Sequence, residues 1–74
     1  MAERSAAHLA FGQTVRAHRT RRHISQEELA ARSGLHRTYV SGIERGERNL
    51  SLESILKLAE GLEVNPGELF GPAS

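Results

Sequence analysis

The sequence predicts an all-α domain of five helices, and three observations carry that prediction. Apolar residues recur at spacings of three and four, whereas Val, Ile and aromatic residues never alternate over the length of a strand. Serine or asparagine stands before most of the periodic runs and glycine closes several of them, as helix starts and stops require. No repeat, low-complexity run or linker interrupts the 74 residues, and both prolines fall in the last nine, so one domain over residues 1–74 is expected. A core this small is marginally stable alone, which favours oligomerisation.

The first helix should run from about Ser5 or Ala7 to Arg22, because Phe11, Val15 and the stem of Arg19 follow one another at four-residue intervals along one face. Its other faces are basic. A second start is marked at Ser25, whose hydroxyl can accept from the N–H groups of the next turn, with Glu28 at the reciprocal position of a capping box. This helix carries Leu29 inward and should stop at Ser33, since Gly34 takes a positive φ without steric penalty. A third helix begins near His36 or Arg37 and closes at Gly46. Ser51 then caps a fourth, along which Leu52, Ile55, Leu56, Leu58, Ala59 and Leu62 form a broad apolar stripe. Asn65 and Pro66 open a last short helix, with Glu68 at its capping-box position.

The short connection centred on Gly34 forces helices two and three to cross steeply, the arrangement of a helix-turn-helix over about residues 25–46. Ala30 permits close approach, Leu35 plugs the turn, and Val40 and Ile43 anchor the third helix. With those two inward, an advance of about 100° per residue turns Thr38, Ser41, Gly42 and Arg45 outward and leaves Arg37 on the exposed first turn. Short polar side chains let a helix enter a groove, arginine pairs bidentately with guanine, and a threonine methyl touches thymine. A merely solvated helix would instead carry Lys and Glu four residues apart. The outward face reads as a surface for duplex DNA.

Charge is distributed to match. Residues 1–48 hold nine arginines against five glutamates, while residues 49–74 hold Lys57 alone against Glu53, Glu60, Glu63 and Glu68. The net charge is only +1, so this separation, rather than bulk basicity, points to one face toward phosphate and another away from it. The absence of cysteine removes disulfides and thiolate metal sites. His8, His18 and His23 lack ligand spacing and are expected at the surface, with no metal and no cofactor. No nucleophile elbow, Walker loop or catalytic carboxylate pair occurs, so no enzyme is expected. No stretch nears the roughly 18 apolar residues of a membrane span, and MAERSAAHLAFG has no apolar leader core, so the chain is expected to be soluble, unprocessed and cytoplasmic.

Over about residues 11–70 the chain resembles the Cro/CI-type (XRE) helix-turn-helix family, on SQEELAARSGLHRTYVSGIERGERNLSLESILKLAEGLEV. Within it, RTYVSGIERGERNLS is particularly similar to the controller proteins of restriction-modification systems. The resemblance implies a lambda-repressor-like fold and a small homodimeric regulator that activates or represses its own operon. It implies that Arg37 and Thr38 contact base edges with Ser41 beside them, and that Gln26, Tyr39 and Arg45 supply phosphate contacts. For Gln26 electrostatics agree, because the free N–H groups and dipole of a capped first turn favour an anion. Arg48, Asn49 and Ser51, at the mouth of helix four, could hold another phosphate. The family's arginine in helix one and glutamate in helix three correspond to Arg19 and Glu44, which implies a structural salt bridge. His36 replaces the acidic or small polar residue common at its position in controller proteins, and either a phosphate contact or a helix cap is open to it.

One helix in one major groove buries too little to regulate a promoter, whereas two recognition helices about 34 Å apart read successive turns of one face. A homodimer on an operator with symmetric half-sites is therefore expected, with no small-molecule ligand. Its surface should come from residues 51–70, where Leu62, Val64, Leu69 and Phe70 exceed the needs of a small core, core packing being the competing role. An antitoxin or another XRE-type repressor would carry the same reading face. A protein-interaction adaptor would want apolar anchors where this chain has arginines.

Overall fold

Serine hydroxyls open three of the helices. The computed structural model describes residues 5–71, and in chain order they form α1 (Ala6–Arg21), α2 (Gln26–Ser33), α3 (Arg37–Glu44), α4 (Leu52–Leu62) and a 3-10 helix at Pro66–Phe70. Ser5 accepts from His8 N at 3.0 Å, Ser25 from Glu28 N at 3.0 Å and Ser51 from Ser54 N at 3.1 Å. Each hydroxyl supplies an acceptor to a first-turn N–H that no helical carbonyl can reach. The Glu28 carboxylate turns to Arg32 at 3.0 Å rather than back to Ser25. The domain limits expected at residues 1 and 74 lie outside the described residues.

The all-α class stands, but the fifth helix is corrected to a 3-10 turn, so the described residues hold four α-helices. Its five residues run from Pro66 to Phe70, with Gly71 next, too short a run for the α-helical ladder to establish itself. Glu68 Oε2 accepts from Asn65 N at 2.9 Å and closes its start.

α2 packs against both α3 and α4, α1 lies along α3, and the 3-10 helix bridges α1 and α4. Val15, Leu29, Val40, Leu58, Leu62 and Leu69 are fully buried where these elements meet. Gly34, at φ 75°, makes the turn between α2 and α3. α1 and α3 approach backbone to backbone at Gly12, where a Cβ would run into Ile43 O and stand 2.8 Å from Glu44 O. Arg22, at the end of α1, donates to Leu62 O and, at 3.2 Å, to Glu63 O, so a cation covers the free carbonyls of α4.

Three burial expectations are corrected. Leu62 and Leu69 are wholly enclosed in the core and offer no surface to a second chain. The apolar stripe of α4 is wider than the core that receives it: Leu58, Ala59 and Leu62 turn inward, while Leu52 is 71% and Leu56 47% exposed. His18 is buried rather than superficial, because it continues the inward face of Phe11 and Val15 by one further turn. Its Nδ1 lies 3.2 Å from the Arg21 guanidinium. Among the described residues no helix is long and apolar enough to cross a membrane, and no three His, Cys, Asp or Glu side chains gather as metal ligands would.

Candidate nucleic-acid interface

α3 is held from inside by Val40 and Ile43, both buried, which leaves Arg37 and Thr38 exposed on its first turn. Its far end is tied down by a carboxylate. Arg19 Nε donates to Glu44 Oε2 at 2.7 Å and Arg19 Nη2 to Oε1 at 3.1 Å, a forked geometry that arginine alone offers. Arg19 Nη1 also donates to Ile24 O at 2.9 Å. The side chains are only 13% and 4% exposed. Hydrogen bonding to Glu44 raises the Arg19 pKa further above its usual value, burial opposing this and the Glu44 charge reinforcing it.

Gln26 joins this pair. Its Nε2 donates to Glu44 Oε1 at 3.0 Å, so the first residue of α2 is bound to the last residue of α3. One amide hydrogen is spent there. Within the first turn of α2 the Glu28 N–H is already taken by Ser25 Oγ.

The flank of α3 is fastened by Tyr39, whose hydroxyl donates to Asn49 O at 2.8 Å and lies 3.2 Å from Ser54 Oγ. Ser51 Oγ is engaged with Ser54, accepting from its N–H and donating to its Oγ at 2.9 Å. Arg45 reaches both ways, to Ser41 Oγ and, at 2.9 Å, to Glu47 Oε1. Asn49 and Arg48 are exposed in the loop that follows. His36 is the N-cap residue of α3 but makes no side-chain cap bond, which removes the capping alternative. Gly42, placed outward by its helical position, is instead buried, because the Arg48 side chain lies over it.

The structure thus gathers Arg37, Thr38, Ser41, Arg45 and Arg48 around one side of α3, with Gln26 at its edge and His36 and Asn49 at its ends. The long-range bonds of Gln26, Tyr39 and Arg22 were invisible to the sequence, since each joins residues 10 or more apart. The cover over Gly42 had a local signal, Gly46 followed closely by a long cation.

Two helices crossing at a tight glycine turn, the second with an outward polar face, define a helix-turn-helix protein. Residues 15–69 match the family described as Helix-turn-helix. The chain is 52% identical over 63 residues to control protein C.BamHI of Bacillus amyloliquefaciens, covering 84% of this chain and 78% of that protein. The structure of restriction-modification controller protein C.AhdI from Aeromonas hydrophila superposes with a TM-score of 0.86 at 54% identity, covering 88% of this chain and 98% of that one. That of controller protein C.Esp1396I, as a tetramer with its natural 35 base-pair operator, does so with a TM-score of 0.83 at 38% identity, covering 89% and 87%. The chain belongs to the helix-turn-helix family of restriction-modification controller proteins.

Proposed function

We propose that this chain is a sequence-specific DNA-binding regulator that acts as a homodimer on an operator with symmetric half-sites and controls a restriction-modification operon. The observation that carries the reading is the first turn of α3: Arg37 and Thr38 stand exposed on a helix that Val40, Ile43, Glu44 and Tyr39 already hold in place. They are therefore available to bases. Arg37, Thr38 and Ser41 read base edges, while Gln26, His36, Arg45, Arg48 and Asn49 meet phosphates around them. Tyr39 and Ser51 act on DNA indirectly, because their hydroxyls already serve the fold. The relative that crystallised as a tetramer with its operator supports a protein that assembles in pairs on DNA. The chain works by binding rather than catalysis, in the cytoplasm where its operon lies.

The dimer surface is what the core leaves uncovered. Phe70, 64% exposed, rests on Phe11 with ring centroids 5.3 Å apart, and exposed Leu52 and Leu56 together with half-buried Val64 add apolar area in the same C-terminal third.

Fluorescence anisotropy tests the reading, with a duplex selected by the wild-type protein from host genomic fragments and a duplex of random sequence. Arg37→Ala is expected to weaken binding to the selected duplex by about 1–3 kcal/mol, leaving the random duplex and the melting temperature nearly unchanged. Equal weakening on both duplexes would overturn the base-reading role. Failure of the wild-type protein to bind either with a steep salt dependence would overturn DNA binding itself.

A further inference from the structure

The end of α3 turns back on itself. Gly46, at φ 74°, donates its N–H to Ile43 O at 3.0 Å, and Glu47 donates to Gly42 O at 2.9 Å. This pair of bonds is a Schellman closure, which satisfies the last carbonyls and returns the chain over the helix instead of releasing it. Arg48 comes next. Its side chain lies across Gly42 so closely that a Cβ there would stand 2.5 Å from Arg48 Cγ, 2.8 Å from Nε and 3.2 Å from Cδ.

Glycine is the least favourable residue inside an α-helix after proline, because it adds backbone freedom to the unfolded chain and buries nothing. An alanine would serve α3 better as a helix. The atoms it would displace belong to a flexible side chain rather than to any backbone, so the fold would accept it by letting Arg48 swing away. What glycine secures here is therefore the location of Arg48. That residue remains exposed, and among the described residues it makes no ion pair, whereas Arg45 is bonded to Glu47. Thr38 precedes Gly42 by four residues, hence one turn along the same face.

We propose that Gly42 is a positioning residue, the seat on which Arg48 folds back along α3, so that the surface offered to DNA combines Arg37 and Thr38 with a guanidinium from the following loop. This rests on the DNA-binding reading above. A bare helix face would place charge only where helical residues project. With the seat, a cation borne by the loop is held beside the groove-facing face before DNA arrives, which removes part of the ordering entropy that a free arginine would lose on contact.

The test compares wild-type, Gly42→Ala, Arg48→Ala and the double variant. The probes are a duplex recovered by the wild-type protein from a random-sequence pool and an unselected random duplex, each titrated over a range of KCl. Arg48→Ala is expected to weaken binding to the recovered duplex about five- to tenfold and to lower the log–log salt slope by about 1. Gly42→Ala should reproduce most of that loss while retaining the charge, with an unreduced melting temperature. The double variant should be no weaker than Arg48→Ala alone, since both remove one contact. In the free protein, nitrogen-15 relaxation of the Arg48 Nε–H should change from restrained to mobile in Gly42→Ala. The proposal is overturned if Arg48→Ala binds within twofold of wild type, if the Gly42→Ala and Arg48→Ala losses add, or if the Arg48 Nε–H is equally mobile with and without the alanine. Absence of wild-type binding to either duplex would instead remove the DNA-binding reading, and the relaxation measurement would still report on the seat.

Discussion

Glu44 concentrates more polar interaction than any other described side chain at the reading helix. It sits at the C-terminal end of α3, where the helix dipole disfavours a negative charge, and it is nearly enclosed. Arg19 and Gln26 offset that position with three hydrogen bonds. Arg19→Ala would leave the carboxylate with the amide alone, at a cost of about 3–5 kcal/mol. Calorimetry should then show the melting temperature falling by about 10 °C or more, since 1 kcal/mol moves a domain of this size by about 4–8 °C. DNA affinity should fall alike on every sequence. An Arg19→Ala variant that melted as wild type yet lost only specific binding would make Arg19 a base contact instead. At this scale sequence and structure part company over geometry rather than chemistry. The family resemblance implies a phosphate contact for Tyr39; its hydroxyl is used by Asn49 and Ser54, partners 10 and 15 residues away that no local pattern identifies.

At the scale of elements, the crossing of α1 and α3 depends on Gly12. Glycine to alanine in an exposed helix interior gains up to about 1 kcal/mol. Here the added Cβ meets backbone carbonyls of Ile43 and Glu44, which cannot swing aside as a side chain can, so the sign reverses. Gly12→Ala should lower the midpoint of urea unfolding, and a raised midpoint would mean that the two helices can part without loss. Ser25→Ala should cost about 1 kcal/mol by removing the acceptor at the start of α2, measurable as a smaller midpoint shift with an unchanged slope. Helix starts were legible because capping is local: Ser25 and Ser51 cap α2 and α4 where their positions suggested, and Ser5, expected only near the start of the first helix, caps α1. The facing of α4 was not. When Leu52, Ile55, Leu56, Leu58, Ala59 and Leu62 cover more than half of a helix, periodicity cannot say which of them the core receives. Leu69 likewise looked like surplus until the 3-10 turn delivered it into the core.

The whole molecule measures 31 × 31 × 21 Å over its described residues, against the roughly 34 Å between successive major grooves on one face of a duplex. One protomer cannot reach both grooves, and two side by side can. Leu56→Asp and Phe70→Ala, each tested by sedimentation equilibrium, should shift the assembly toward monomer, and their melting temperatures should lose the rise with protein concentration expected of a coupled dimer. Should both variants sediment as the wild-type dimer does, the contact lies on another face. Charge follows the same division: the arginines lie in the part of the chain that holds α3, and the glutamates of α4 and the 3-10 helix lie beyond it. This polarity was readable from composition by halves, whereas the +1 total concealed it. The fastening of α3 by Glu44, Tyr39 and its two buried aliphatic residues has a consequence for lineages of such regulators. Because none of those anchors is Arg37 or Thr38, the residues at 37 and 38 can be exchanged without rebuilding the helix that displays them. Two sister proteins sharing this scaffold could thus diverge in the DNA they answer to and operate in one cell without crosstalk.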